Sequence, residues 1–299
     1  MNAASRGLTP GLCCTTDRLT PRSLHASATR WLRDGRAACL VSVDAIRGST
    51  PRDQDARMLV APDEVRGTIG GGHLEWRAID LARQALREDR LAESWTHTFP
   101  LGPTLGQCCG GVVTLRFEAL STASLAAWQV PPPRFHVELH GAGHVGQAIV
   151  KLLSDLDCSV RWIDERADDL PQWDAQAGLP APEMLAALPD HIQWLPTEAA
   201  EREVADAPPN ACHLVLTHRH DLDLKIIDAV LRRGDFRFAG LIGSQTKRAR
   251  FLHRLAEHGI SAESLARLTC PIGLPDIPGK EPAVIAIAVV AQLLVAHGA

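Results

Sequence analysis

The chain has 299 residues, 45% of them hydrophobic, which is enough to bury substantial apolar surface and makes two domains more natural than one. A net charge of −4, drawn from an ordinary mixture of both signs, excludes the basic field that nucleic acid or an anionic lipid surface needs, so an anionic ligand must be held by local chemistry. Residues 1–22 carry Arg6, Arg18 and Arg22 without a continuous apolar run, and Lys280 and Glu281 interrupt the chain before its apolar C-terminal stretch, so neither signal peptide nor membrane span is expected and the protein reads as cytoplasmic.

Residues 1–22, rich in Ser, Thr, Pro and Gly, read as a flexible extension, and residues 23–120 as a small α+β domain. Within it the apolar spacing predicts a helix over 23–34, strands over 37–46 and 57–61, an amphipathic helix over 74–86 and a strand over 112–117. Two glycine-rich loops lie between them. In the first, Gly70, Gly71 and Gly72 precede His73, Leu74 and Glu75 at the start of the second helix, where backbone N–H groups can approach a phosphate and Glu75 favours the helix dipole. The second, Gly106-Gln107-Cys108-Cys109-Gly110-Gly111, sets two thiols among glycines directly before a strand. Glycine neighbours remove the packing that buries structural cysteines, so exposed thiols are expected, able to ligate a soft metal, carry a persulfide or act as nucleophiles. Adjacent thiols alone cannot fill a tetrahedral zinc site, and no CxxC pair occurs among the eight cysteines, which read as reduced.

Pro131-Pro132-Pro133 closes a Pro-rich linker over 121–134, and residues 135–299 then alternate strand and helix. Strands are predicted over 135–140, 160–164, 192–195, 213–217 and 238–242, with helices over 145–156, 224–233, 245–258 and from 282 to about 296. Residues 167–193, with four prolines, read as an irregular connection with a short helix. The fold class is therefore α/β, with a C-terminal Rossmann-type doubly wound parallel sheet and a smaller N-terminal α+β domain.

The segment HVELHGAGHVGQAIVKLL places Gly141, Gly143 and Gly146 in GxGxxG spacing between a strand and a helix. Gly141 permits the turn, Gly143 lets a phosphate approach the backbone, Gly146 allows close helix packing, and Asp164 ends the next strand where a ribose-binding carboxylate would lie. His140 and His144 flank this turn; they either contact a phosphate or titrate near neutrality, or are partly exposed loop histidines satisfied by carbonyls. Beyond a later strand, Thr217, His218 and Asp221 should face the same crevice as Gly143. His218, His220, Asp221 and Asp223 hold the chemistry of a metal site, but consecutive loop residues usually diverge, and helix capping by Asp223 is the favoured role. The loop Gly243 to Lys247 offers hydroxyl, N–H and ammonium groups to an anion, with Ser244 as an ordinary N-cap the competing role.

GTIGGGHLEW and LGPTLGQCCGG, with HGAGHVG, VRWIDER, LTHRHDLDL, GLIGSQTKRARF and PIGLPDIPGKEPAVIAIAVV, together resemble the xanthine dehydrogenase accessory protein family (XdhC/CoxI) over nearly the whole chain after about Trp31. The resemblance implies a molybdenum-cofactor chaperone, more a carrier than an enzyme, that binds the pterin cofactor while a cysteine desulfurase helps install its sulfido ligand and then delivers it to a xanthine dehydrogenase-type molybdoenzyme. Carried onto this sequence, it implies Cys108 and Cys109 as cofactor and molybdenum contacts, with Gln107, Gly71, Gly72, His73 and Glu75 around them, and a homodimer. The crevice at Gly141, Gly143, His144, Gly146 and Asp164 would bind the other end of the ligand or a separate nucleotide. The rival from another class is an NAD-dependent oxidoreductase, with Asp164 on ribose and His144 or His218 as acid/base; a third is an adaptor with an empty cleft.

Overall fold

The computed structural model describes residues 20–49, 54, 56–101, 111–166 and 178–298. The chain folds as two compact units that divide between Pro131 and Pro132.

In the first unit, Thr20 caps α1 (Pro21–Arg33) by accepting from the Ser23 N–H, and Pro21 occupies the first turn, where its missing N–H costs nothing. Strands β1 (Cys39–Arg47), β2 (Arg57–Val60) and β3 (Val65–Gly67) are followed by α2 (Gly72–Arg87), then β4 (Trp95–Pro100), β5 (Val112–Ala119) and α3 (Thr122–Ala127). The five strands form an antiparallel sheet in the order β3-β2-β1-β5-β4. Period-two alternation sends Cys39, Val41 and Val43 to one face, packed with Leu74, Ala78 and Ala82 of α2, and Leu40 to the other, packed with Leu24, Ala28 and Trp31 of α1. Two strands escaped the sequence reading for physical reasons. β3 has only three residues, and β4 is an edge strand whose alternating Trp95 and Phe99 are separated by an exposed centre at Thr96, His97 and Thr98; Trp95 stacks on Phe117 with centroids 4.2 Å apart. Residues 121–134 contain α3, stabilised by a reciprocal capping box between Ser121 and Ser124.

The second unit carries β6 (His136–His140), α4 (His144–Leu153), β7 (Ser159–Asp164), α5 (Pro182–Ala186), β8 (Ile192–Pro196), a 3-10 turn (Arg202–Asp206), β9 (Cys212–Val215), α6 (His220–Arg233), β10 (Phe238–Leu241), α7 (Gln245–Glu257), α8 (Ala262–Ala266), β11 (Leu268–Thr269) and α9 (Pro282–Gly298). All six strands are parallel, in the order β11-β10-β9-β6-β7-β8. The order reverses between β6 and β9, which is the switch point where doubly wound sheets bind ligands. One face packs Leu139, Trp162 and Leu214 against α4 and α9, and the other packs Ile163, Val215 and Leu241 against α6 and α7. Among the described residues no helix is long and apolar enough to cross a membrane.

The second face also buries polar groups. Glu138, fully buried, meets His136 Nε2 at 2.7 Å and Arg161 Nη1 at 3.3 Å, and Arg161 continues to Glu203. His140 ends β6, as the strand predicted over 135–140 has it, but it is wholly buried, which corrects the expectation of a partly exposed histidine that meets a phosphate or is satisfied by carbonyls. Its ring lies nearly parallel to that of His213 on β9, 6.1 Å away. Among the described residues neither His140 nitrogen nor His213 Nδ1 has a hydrogen-bond partner. Burial, then the positive charge of Arg233, pushes His213 down to about 4, and burial holds His140 well below its ordinary value. Both rings are therefore neutral in the fold, whereas an unfolded histidine protonates near pH 6.5.

Between those two values the unfolded chain binds more protons than the folded one, so the stability tied to His213 is complete above about pH 6.5 and lost as the pH falls toward about 4, an effect of about 3 kcal/mol. Urea unfolding measured across this range is expected to weaken with acid, and His213→Leu to flatten that dependence. An unchanged slope in the variant contradicts the neutral buried imidazole.

Candidate functional site

The triple glycine of the first unit forms a turn that only glycine adopts readily. Gly70 and Gly71 have φ of +127° and +74°, and an added Cβ at Gly71 would meet no heavy atom within 4 Å, so the requirement is backbone conformation and the space above it is open. Gly71 is the N-cap of α2 and offers no side chain, so the positive end of a sixteen-residue helix is uncapped. Glu75 holds this turn. Its carboxylate, 6% exposed, turns back over the loop, where Oε2 accepts from Thr68 Oγ1 at 2.5 Å and from the Ile69 and Gly71 N–H groups at 3.1 Å each. The sequence reading of a first-turn acid placed Glu75 correctly, and the structure adds that it shapes the loop from beneath.

His73 is exposed beside the turn, its ring 5.6 Å from that of Trp76. Trp76, 59% exposed, was missed by sequence reasoning; the Arg77 guanidinium lies 5.9 Å over it. The available signal was its place on the polar face of α2, two residues before Ala78, which is buried. An exposed indole, an imidazole and a guanidinium beside open helix N–H groups form a surface suited to a flat, anionic guest. Gln107, Cys108 and Cys109 lie outside the described residues. The described cysteines, Cys39, Cys158, Cys212 and Cys270, are all buried, and burial pushes the thiols of Cys39 and Cys158 up to about 12 and that of Cys212 to about 11, which suppresses thiolate chemistry there.

In the second unit the GxGxxG glycines stand between β6 and α4 with the steric roles their spacing predicts. A Cβ on Gly141 would lie 2.3 Å from the Leu216 carbonyl oxygen and one on Gly146 2.2 Å from that of Gly141, while at Gly143 nothing lies within 4 Å. Gly143 caps α4 without a side-chain bond, and His144, the first helical residue, is exposed. Gln147 spans the turn, donating to the Ala142 and Gly178 carbonyls at 3.0 and 2.7 Å. Asp164 sits at the end of β7 as expected, but it is 3% exposed and its oxygens accept from the Ala142 N–H at 2.6 Å, the Arg166 N–H at 2.9 Å and the Arg166 guanidinium at 2.8 and 3.0 Å. Burial alone would raise this carboxyl; Arg166 and the Ala142 N–H outweigh it and hold Asp164 below its ordinary value. Its acceptor directions are thus taken up by the chain itself.

The segment after β9 corrects one expectation. Helix α6 begins at His220 behind Arg219, so Asp223 is not its cap. Asp223 is fully buried inside the first turn, accepting from the Thr217 N–H and hydroxyl at 3.0 and 2.7 Å and pairing with Lys247 Nζ at 2.6 Å. Lys247 also donates to the Ile242 carbonyl, while Ser244 caps α7 by accepting from the Lys247 N–H. Lys247 therefore ties the ends of β9 and β10 together at the crevice. Asp221 pairs instead with Arg219, which also reaches Glu165 at 3.1 Å, so these loop acids diverge.

Lys247→Met leaves the Asp223 carboxylate buried without its cation and is expected to cost about 3–5 kcal/mol in chemical unfolding. Adding Asp223→Leu should recover most of that loss. A single variant as stable as the wild type contradicts the assignment of the pair.

Residues 137–293 match the XdhC Rossmann domain and residues 31–99 match the XdhC and CoxI family. The uncharacterized protein YqeB of Escherichia coli K12 is 30% identical over 258 residues, 83% of this chain and 41% of that protein, so the chain spans about two fifths of this relative's length. A crystal structure described as a xanthine dehydrogenase from Bacillus halodurans has the same fold, with a TM-score of 0.69 over 93% of this chain and 96% of that one at 16% identity. With both of its units matched, the chain belongs to the XdhC and CoxI family.

Proposed function

We propose that the protein takes part in xanthine dehydrogenase maturation, as a chaperone that holds the molybdenum cofactor during sulfuration and delivers it to a xanthine dehydrogenase-type enzyme. The observation that carries this reading is the turn at Gly70 to Gly72, shaped from below by Glu75 and open above, at the uncapped start of α2. The cargo brings a phosphate, a flat pterin and a molybdenum centre. The α2 N-terminus supplies N–H donors and a positive dipole for the phosphate, and His73 and Trp76 supply aromatic surface beside it. Cys108 and Cys109 bring thiolate chemistry suited to a soft metal, and Gln107 is their polar neighbour. In this reading a cysteine desulfurase is the sulfur-donating partner, two copies of the chain pair, the protein acts in the cytoplasm, and the cargo leaves chemically unconsumed. The glycine turn at Gly141, Gly143 and Gly146, with His144 at the start of α4, serves the cargo's other end or a nucleotide.

An oxidoreductase using NAD is favoured less, because the carboxylate that would hold the ribose is engaged by Arg166 and the Ala142 N–H. The decisive experiment mixes the purified chain with free molybdenum cofactor, removes unbound ligand by gel filtration, and assays molybdenum and pterin in the protein fraction. Retention in the wild type and its loss in Cys108→Ser or Cys109→Ser, with thermal unfolding unchanged, is the expected result. Undiminished retention in both variants removes the thiol assignment, and no retention by the wild type removes the chaperone reading.

A further inference from the structure

A parallel strand with a neighbour on each side is covered on both faces and ordinarily carries apolar residues along its whole length. Strand β6, between β7 and β9, departs from this on one face, where His136, Glu138 and His140 follow one another at period two. Its neighbours extend the polar row. Ser159 and Arg161 on β7 stand directly opposite His136 and Glu138, and His213 on β9 stands opposite Glu138 from the other side. Glu138 and His140 are fully buried and His213 is 2% exposed, so the row runs through the centre of the sheet.

At one end the row is joined by direct bonds. Ser159 Oγ lies 2.7 Å from His136 Nδ1, His136 Nε2 lies 2.7 Å from Glu138 Oε1, and Arg161 Nη1 reaches the same oxygen at 3.3 Å. At the other end, among the described residues, Glu138 Oε2, His213 Nδ1 and both His140 nitrogens have no partner. Buried polar atoms in folded proteins are met by the protein or by ordered water, and one left unmet costs the full desolvation of its group. The two rings do not serve each other: they lie nearly parallel, 14° between planes, with centroids 6.1 Å apart. A neutral imidazole offers one donor and one acceptor, whereas a carboxylate only accepts, so whatever joins the three must both donate and accept. Two hydrogen bonds through a single oxygen span about 5.5 Å, and a buried water makes about three such bonds, for which three residues are at hand. Among the described residues no group of three His, Cys, Asp or Glu side chains is placed to hold a metal ion, which leaves water as the guest.

We propose that Glu138, His213 and His140 hold bound internal water. It completes one hydrogen-bonded path through the second unit, from the partly exposed His136 at the start of β6 to His140 beside the Gly141 turn. The site does not depend on the chaperone reading.

Two measurements on the full chain test this. A crystal structure at a resolution that shows ordered solvent is expected to place water within hydrogen-bond distance of Glu138 Oε2, His213 Nδ1 and a His140 nitrogen. Nuclear magnetic resonance is expected to show cross-relaxation between long-lived water and the His140 ring N–H. The double variant His140→Phe/His213→Phe leaves Glu138 alone, too few partners to retain a buried water, and should lose it. If that variant does not fold, the wild-type measurements decide. Dry packing around the three residues, direct bonds that join them without water, or water that persists in the folded double variant overturns the proposal.

Discussion

A carboxylate withdrawn from water must be met by donors, and in this chain that constraint shapes three helix starts. Glu75, 6% exposed, gathers a hydroxyl and two backbone N–H groups below the turn that opens α2. Asp164, 3% exposed, gathers the Ala142 N–H and Arg166 beside the turn that opens α4. Asp223, fully buried, gathers Thr217 and Lys247 behind the turn that opens α6. In each case the acid is engaged in fixing the backbone of the turn. Preorganisation of this kind lowers the ordering cost that a bound guest must overcome.

The open positions follow from the same arrangement. Gly71 and Gly143 sit where a side chain would find empty space, whereas Gly141 and Gly146 sit where one would strike a carbonyl. The first pair can face a guest and the second pair keeps the fold closed, so identical residues serve opposite ends within a few positions of each other. The two glycine turns lie on different sheets, an antiparallel one and a parallel one, and each turn leads directly into a helix whose N-terminus has no side-chain cap. A helix N-terminus of this kind accepts negative charge without any net charge on the protein. That fits a chain whose overall charge is −4.

Much of the fold was legible because it is written in local grammar. A strand, three spaced glycines and an amphipathic helix announce the parallel half, and the boundaries of β6, α4 and β7 fall within a few residues of expectation. What stayed hidden depends on partners distant in sequence. Asp223 looks like a cap until Lys247, twenty-four residues on, arrives beside it. His140 looks like an exposed strand end until β9 lays His213 against it. Trp76 sits on the polar face of α2 by its spacing from Ala78, and the structure shows it 59% exposed there. The paired cysteines are the reverse case: their sequence context is pointed, and they lie outside the described residues.

The central claim is that the braced glycine turn at the start of α2 is where the guest is held. Hydrogen–deuterium exchange on the intact chain, with and without purified molybdenum cofactor, addresses it most directly. The account predicts slowed exchange in peptides covering Ile69 to Trp76 when the cofactor is present. Cofactor binding that leaves exchange across this segment unchanged, with protection confined to other regions, would contradict it.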